Sequence, residues 1–263
     1  MSLPYKMGLI VPRHTIQAAR AMVALHAHLA ALGVPPSASY PWAAAVEKRQ
    51  GGNAWMMDGN DQYGDCVIAD DCHQMMALTA NGAGPYVCPT RTQALAQYAL
   101  ETGFDPVTGA GDNGTDPTAN ATYLMSNGFL GHKLAGWGPI DIMNRNGIMW
   151  ATHLFCGVKF CIQVPDFAFQ GYQAGLWDYT DQPYNIEGGH DILGIQYHLD
   201  SNGAPIYDVI TWGKRIQMTE RFWQKFGLMA IAVVSPDELQ KTGVTATNLN
   251  MQQMLSDLTG VEQ

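Results

Sequence analysis

Charged side chains are scarce in this chain of 263 residues, where they make up 14% of the sequence while hydrophobic residues make up 47%. The net charge is -9, and lysine and arginine nowhere form a run. Without a basic surface to neutralise phosphates, nucleic-acid binding is excluded as the main activity. So small a charged fraction favours extensive burial, a homo-oligomer or incorporation into a larger assembly.

Paired cysteines, a leader sequence and a membrane span are missing as well. The five cysteines are at positions 66, 72, 88, 156 and 161, an odd number without CxxC spacing, so reduced thiols are predicted instead of a disulfide scaffold. The apolar run after Lys6 is short and is broken at Pro12, unlike a signal peptide. No apolar stretch reaches the length of a membrane span. We therefore expect cytoplasmic synthesis and no membrane partner.

Helical spacing is typical of the first half of the chain, and strand-like patterns of the second half. Apolar residues recur every three or four positions from Cys66 to Thr79, which predicts a helix closed by Asn81-Gly82. Further helices are predicted over 14–33, 92–102, 116–127, 142–155 and 218–226, and strands over 131–140, 158–164, 190–197, 205–212 and 228–234. Helices followed by an antiparallel sheet predict an α+β fold.

Three regions are predicted along the chain. Residues 1–50 form an N-terminal helical extension, residues 51–240 the main domain, and residues 241–263 a C-terminal tail with a docking helix. Residues 34–58, which begin around two prolines, are expected to be a loop-like connection.

Cys66 follows a glycine-containing turn at the start of its predicted helix. A helix N-terminus offers partial positive charge and free N–H groups, and both favour a thiolate. Amide side chains precede the cysteine by six residues at Asn60 and by four at Gln62, and either can point an N–H group at an oxyanion. His190, which follows two glycines and opens a strand, can carry the proton. This order of parts is what a thiol nucleophile needs.

The sequence resembles the papain-like cysteine peptidase superfamily, and within it a group of proteins from phages and prophages. The matching stretches are Gly59-Asn60-Asp61, Gly64-Asp65-Cys66, Gly188-Gly189-His190, Thr211-Trp212-Gly213 and Val234-Ser235-Pro236-Asp237. They span residues 55–237, approximately, in the order of the family. The resemblance implies a papain-like α+β fold, in which the helix that carries the nucleophile packs against an antiparallel sheet.

The resemblance also implies roles for single residues. Cys66 corresponds to the nucleophile, and His190 to the general base and acid. Asn60 lies at the six-residue distance of the family's oxyanion-hole glutamine, with Gln62 as the alternative at a different distance. Trp212 corresponds to the tryptophan that shields the partner of the histidine from water. No cofactor and no metal ion is implied.

The residue that orients the histidine is left open by the sequence. The family usually carries an asparagine just before its Ser-Trp-Gly element, and Ile210 stands there in this chain. Asp208, two residues earlier, projects to the same face of a strand and is one candidate for the orienting role. Thr211 is the other candidate. A further departure is Val67, which stands where the family commonly has an aromatic residue after the cysteine.

Three other patterns have simpler explanations than a second site. Asp70 and His73 can share a helical face, but the chain has no HExxH or CxxC motif, so a zinc site is not favoured. The acidic loop 105–116 differs in spacing from a calcium-binding EF-hand loop, which favours a solvated loop. The aromatic residues between 172 and 184 either anchor their own loop or face a substrate or partner.

The first predicted function is a cysteine peptidase or a related thiol acyl-transfer hydrolase that acts on a peptide or protein substrate. The second hypothesis is a virion or assembly protein of a phage that keeps the fold for binding, with reduced or lost catalysis. Low charge and Ile210 fit this hypothesis, and the protein would then leave the cell within a virion. The third is a peptidoglycan-cleaving amidase or endopeptidase, because cysteine–histidine hydrolases of that kind use the same site logic.

Overall fold

Capping residues of the sequence decide where several helices begin. The computed structural model describes residues 5–12, 15–236 and 249–259. Thr15 accepts the N–H of Ala18 ahead of the first helix, and Thr90 forms a capping box with Gln93. The helices in the described ranges are α1 (Ile16–Ala30), α2 (Trp42–Gln50), α3 (Cys66–Asn81), α4 (Arg91–Thr102), α5 (Pro117–Ser126), α6 (Arg145–Leu154), α7 (Ala168–Ala174), α8 (Glu220–Phe226) and α9 (Met251–Thr259).

The strands of the second half form one mixed sheet. In the described part of the chain it has seven strands in the order β1-β7-β2-β4-β5-β6-β3. All neighbouring strands are antiparallel except β3 and β6. The strands are β1 (Gly136–Ile140), β2 (Val158–Pro165), β3 (Leu176–Trp177), β4 (Ile186–Leu199), β5 (Pro205–Thr211), β6 (Lys214–Thr219) and β7 (Gly227–Val234). The predicted α+β class is confirmed.

Four elements were not foreseen from the sequence: α2, α7, β3 and β6. The loop-like connection predicted over 34–58 is wrong in part, because α2 lies within it. This helix begins after Pro41, and no side chain caps its first turn, so the local signal of a helix start is absent. Its helical conformation is instead stabilised by packing, since Trp42 and Val46 are buried in a cluster with α3 and β4.

The helix that carries Cys66 is fixed against the middle of the sheet. Met76 and Ala77 of α3 share a hydrophobic cluster with Leu193 and Ile195 of β4. Burial extends around nearly all of α3, because α2 and α4 cover the sides that the sheet does not. The cluster therefore holds the C-terminal half of α3 against β4.

Helices α1 and α9 pack on the β1 edge of the sheet. Leu25 of α1 is buried in the main core together with Met254 and Leu258 of α9, and both helices contact β1. Residues 1–4, 13–14, 237–248 and 260–263 lie outside the described residues, among them Asp237 and much of the predicted tail. The proposed boundaries at 50 and 240 stay predictions. Within the described ranges, every helix is too short or too polar to cross a bilayer.

Candidate active site

Cys66 is the first residue of α3, and its side chain is buried with 1% of its surface exposed. The backbone N–H groups of Asp191 and Gly8 point at the thiol. Burial raises the pKa of the Cys66 thiol far above that of a free thiol, and the charge of Asp191 adds to this. The two N–H groups oppose the rise only in part. The thiol is therefore protonated at neutral pH in this structure.

His190 lies on β4, where two neighbouring side chains orient its ring. Its Nε2 is 2.8 Å from Oγ1 of Thr211, and the ring stacks on the indole of Trp212 with centroids 4.6 Å apart. Nδ1 is buried and has no hydrogen-bond partner among the described residues. Burial, aided by the charge of His73, lowers the pKa of His190 to about 3. The imidazole is therefore neutral at neutral pH.

The cysteine helix and the histidine strand meet at Asp191. Because the Asp191 N–H points at Sγ of Cys66, the start of α3 lies beside the residue that follows His190 in β4. Within the ranges that the structure describes, no hydrogen bond joins the Cys66 thiol to the unpaired Nδ1 of His190. The fold thus brings the two elements together, and the thiol and imidazole are neutral groups rather than an ion pair.

The two candidate oxyanion donors differ in burial. Asn60 is buried, and its Nδ2 donates to the carbonyl oxygen of Tyr63 at 3.1 Å. Burial raises the pKa of Asp65 well above its ordinary value, and the neighbouring Asn60 amide opposes this rise. Gln62 is exposed. The Asn60 amide is therefore engaged within the turn that precedes the cysteine, and the choice of oxyanion donor stays a prediction.

Thr211, and not Asp208, contacts His190. The Asp208 carboxylate accepts hydrogen bonds from Nη1 of Arg215 at 2.8 Å and from Nε2 of Gln196 at 2.7 Å. Strand register explains the difference, because Asp208 pairs with Gln196 in the β4–β5 ladder. Each residue advances a strand by about 3.4 Å, so a side chain three positions before Thr211 is out of reach of the same ring.

Comparison with solved structures shows that cysteine proteases share this fold. Xylellain, a cysteine protease from Xylella fastidiosa, aligns with a TM-score of 0.61 at 10% identity, covering 88% of this chain and 96% of its own. A procathepsin B from Trypanosoma congolense aligns with a TM-score of 0.56 at 11% identity over 88% and 86% of the two chains. The proform of Amb a 11, a ragweed pollen cysteine protease, gives 0.54 at 15% identity over 78% and 67%.

The chain has a papain-like fold. No protein-family model and no curated protein sequence matches it. At such low identities the solved structures bear on the fold alone, so the residue roles and the link to phage proteins stay predictions.

An N-terminal strap, defined as residues 5–12, crosses the candidate site. It is held by backbone hydrogen bonds to both sides of the site. These run from Lys6 N–H to Asn60 O (3.3 Å), from Leu9 N–H to Gly189 O (3.1 Å), from Ile10 N–H to Thr115 O (3.0 Å) and from Thr115 N–H to Gly8 O (2.8 Å). The strap therefore joins β4 to the segment before α5 across the start of α3.

Gly8 is the point where the strap lies against the thiol. Its N–H points at Cys66, and a Cβ at this position would lie 1.7 Å from the carbonyl oxygen of Gly64. Only glycine allows so close a passage. Three residues before Gly8 in the strap, Tyr5 stacks on Trp212 with ring centroids 4.6 Å apart. The strap thus covers the cysteine and the aromatic support of the histidine together.

The residues of the alternative zinc site are engaged elsewhere. Oδ2 of Asp70 lies 2.8 Å from Nζ of Lys159, and Nε2 of His73 lies 3.1 Å from the carbonyl oxygen of Met56. In the acidic loop, Asp105 accepts the backbone N–H of Val107 at 2.9 Å. Asp70 therefore forms an ion pair, His73 contacts the backbone ahead of α3, and Asp105 stabilises a turn.

The aromatic residues between 172 and 184 pack against the protein. Trp177 is fully buried, and its Nε1 donates to the carbonyl oxygen of Ala168 at 2.7 Å. Tyr179 and Tyr184 both pack edge-on against Phe226. Of the two interpretations, this favours a segment anchored by its own aromatic side chains.

Lys159 is the residue beside the site that the sequence did not reveal. It lies on β2 with no exposed surface, and its Nζ is 2.6 Å from Oδ1 of Asp71 and 3.7 Å from Oδ2 of Asp191. A signal was present, since a single lysine between Val158 and Phe160 stands in an otherwise apolar strand. Fully buried lysines are rare unless they are paired, so the paired acids on α3 are its natural partners.

Proposed function

We propose that this chain is a thiol hydrolase of the papain type that cleaves peptide or protein substrates. The observation that carries the proposal is the Asp191 N–H directed at the Cys66 thiol, because it brings a cysteine at a helix N-terminus beside the strand of His190. A helix N-terminus favours a thiolate and leaves its first N–H groups free for an oxyanion.

The proposed reaction begins with proton transfer from Cys66 to His190. If Nε2–H donates to Oγ1 of Thr211, Nδ1 is the unprotonated nitrogen and can accept the thiol proton. The thiolate attacks the substrate carbonyl, and the Cys66 N–H, with Asn60 or Gln62, binds the oxyanion. His190 then protonates the leaving amine, and water hydrolyses the thioester with His190 as base.

The strap holds this machinery in a closed form. With the strap in place, Cys66 is protonated, its thiol lies against the Gly8 N–H, and the pKa of His190 is lowered to about 3 mainly by burial. Displacement of the strap admits water, which moves the thiol pKa down and the imidazole pKa up. We therefore assign catalysis to the strap-displaced form.

Alkylation of Cys66 tests the proposal directly. The variant Gly8→Val displaces the strap, and in it we expect Cys66 to react with iodoacetamide with a midpoint well below the ~8.5 of a free thiol. Adding His190→Ala is expected to move the midpoint up to that of an ordinary thiol. Mass spectrometry of the alkylated peptide assigns the reaction to Cys66 rather than to Cys72. A midpoint that is ordinary both with and without His190 would sink the catalytic proposal.

Exchange of Thr211 for valine tests which residue orients the histidine. Thr211→Val keeps the side-chain shape but removes Oγ1, which lies 2.8 Å from Nε2 of His190. Because the partner of one ring nitrogen fixes the tautomer, we expect kcat to fall by roughly 10- to 100-fold with little change in KM. Asp208→Asn serves as the control and is expected to stay within about twofold. Equal losses in both variants would contradict the assignment to Thr211.

The neutral, covered thiol also favours a second candidate, a papain-like protein that binds a partner without catalysis. Ile210 at the place of the family's orienting asparagine fits this candidate as well. It predicts an ordinary Cys66 thiol after strap displacement and self-assembly under gentle purification. The peptidoglycan hydrolase is separated from a protein-directed enzyme by loss of turbidity in a cell-wall suspension.

A further inference from the structure

A fully buried ammonium group lies between the cysteine helix and the histidine strand. Lys159 on β2 has no exposed surface. On the helix side its Nζ is 2.8 Å from Oδ2 of Asp70, 2.6 Å from Oδ1 of Asp71 and 3.5 Å from the carbonyl oxygen of Val67. All three belong to the first two turns of α3, directly after Cys66.

On the strand side the same ammonium group reaches Asp191. Oδ2 of Asp191 is 3.7 Å from Nζ of Lys159, and its Oδ1 is 3.5 Å from Sγ of Cys161. The backbone N–H of Asp191 is one of the two groups directed at the Cys66 thiol, and the preceding residue is His190. One side chain of β2 therefore contacts both elements that carry the proposed catalytic pair.

We propose that Lys159 is a positioning residue, whose ammonium group fixes the start of the Cys66 helix against the strand of His190. The inference rests on the proposed function and names the residue that sets the geometry of its site.

Stability alone does not account for this arrangement. Removing an ammonium ion and its carboxylates from water costs free energy that their attraction often fails to repay, and well-packed apolar groups serve a core at least as well. The ammonium group instead fixes the relative position of its neighbours, because each of its N–H groups needs an acceptor at a defined place. Here the hydrogen-bond acceptors are on α3, and the Asp191 carboxyl group of β4 lies 3.7 Å from Nζ, so a shift of either element along the other changes a buried contact.

Carboxyl groups outnumber the ammonium group around Lys159, and their raised pKa values limit the negative charge that is buried there. Three carboxyl groups, those of Asp70, Asp71 and Asp191, face one ammonium group. Burial raises the pKa of Asp191 well above its ordinary value and that of Asp70 to about 6, against the pull of Lys159. Protons retained on these acids reduce the excess negative charge, so removing Lys159 alone would change both charge and geometry.

The test therefore uses charge-balanced variants, built in Gly8→Val so that Cys66 is accessible. Lys159→Met/Asp71→Asn removes one positive and one negative charge, and Lys159→Met/Asp70→Asn is a second combination in case the first does not fold, which circular dichroism shows. Lys225→Met is the control, because it removes an exposed lysine of α8. The groups that face Cys66 and are left unchanged in these variants are Asp65 ahead of α3 and Asp191 on β4, while the N–H of residue 8 moves away with the strap.

The readout is the pH midpoint of Cys66 alkylation, measured with and without His190→Ala. In a folded charge-balanced variant we expect the midpoint to rise by at least about one unit and to become insensitive to His190. Lys225→Met is expected to leave it within about 0.3 unit of the Gly8→Val protein. A structural role confined to packing would leave the midpoint and its dependence on His190 unchanged.

The two proposals fail in different ways. If the Gly8→Val protein alkylates independently of His190, the proposed function is overturned, and with it the pair that Lys159 would position. If that protein depends on His190 and a folded charge-balanced variant keeps the same midpoint and the same dependence, the role of Lys159 alone is overturned.

Discussion

The variant Gly8→Val is expected to hydrolyse an unfolded protein substrate about 100-fold faster than the unaltered chain. A side chain at position 8 cannot coexist with the closed strap, because its Cβ would lie 1.7 Å from the carbonyl oxygen of Gly64 and 2.1 Å from the carbonyl carbon. Both are backbone atoms that cannot rotate away. A factor of 100 requires the substitution to disfavour the closed form by about 2.7 kcal/mol, which a clash of this kind exceeds.

Two companion variants make this result specific. Gly84→Val is the matched control, because a Cβ there meets nothing within 4 Å, and its activity is expected to equal that of the unaltered chain. The activity of Gly8→Val/Cys66→Ala is expected to be lower than that of Gly8→Val by about three orders of magnitude or more, which removes the gain completely. Equal activity of Gly8→Val and the unaltered chain, in a folded protein, would show that the strap does not limit access to Cys66.

The variants Asp58→Asn and His73→Gln are expected to shift the free energy of unfolding in opposite directions with pH. Burial raises the pKa of Asp58 to about 7 and lowers that of His73 to about 4. Oδ2 of Asp58 lies 3.6 Å from Nε2 of His73. Between these two pKa values both groups are neutral, so at pH 5 to 6 the contact is not an ion pair.

The signs follow from proton linkage. The folded protein holds the Asp58 proton more tightly than the unfolded chain does. The protonated Asp58 therefore adds to the free energy of unfolding in full below about pH 4, and this contribution is lost as the pH rises through 7. The depressed His73 pKa gives the reverse, with stability present above about pH 6.5 and lost as the pH falls through 4.

Denaturant unfolding at two pH values measures both effects. Relative to the unaltered chain, Asp58→Asn is expected to gain about 2 kcal/mol of unfolding free energy on going from pH 5 to pH 8. His73→Gln is expected to lose about the same amount over that interval. If both differences stay constant with pH, the two groups do not titrate as their burial implies.

Local patterns were enough to predict most of the elements near the site. The helix that begins at Cys66 lies where its spacing predicts it, because apolar periodicity is a property of neighbouring residues. The same holds for α5, where Asp116 caps a helix with proline in its first turn. The prediction that His190 opens its strand is wrong, because β4 begins at Ile186 and the two glycines before His190 already pair with β2. In α2 the local signal is missing, and only packing against α3 and β4 makes the segment helical.

Residue contacts across the sheet were not predictable in the same way. Asp208 and Thr211 were both candidates from the sequence, and the register of β4 against β5 brings Thr211, and not Asp208, into contact with His190. The contact between the strap and Cys66 was even less predictable, because α1, α2 and their connecting segments separate Gly8 from Cys66 in the chain. Nothing near Gly8 in the sequence shows where it lies. The partners of Lys159 likewise come from two other elements.

Short-range patterns established the α+β class, a cysteine at a helix start and a histidine on a strand, because each depends on residues a few positions apart. Long-range packing placed Thr211 against His190, Gly8 over the thiol and Lys159 between helix and strand. These contacts join residues distant in the chain, and the buried environment they create decides the charge of Cys66 and His190.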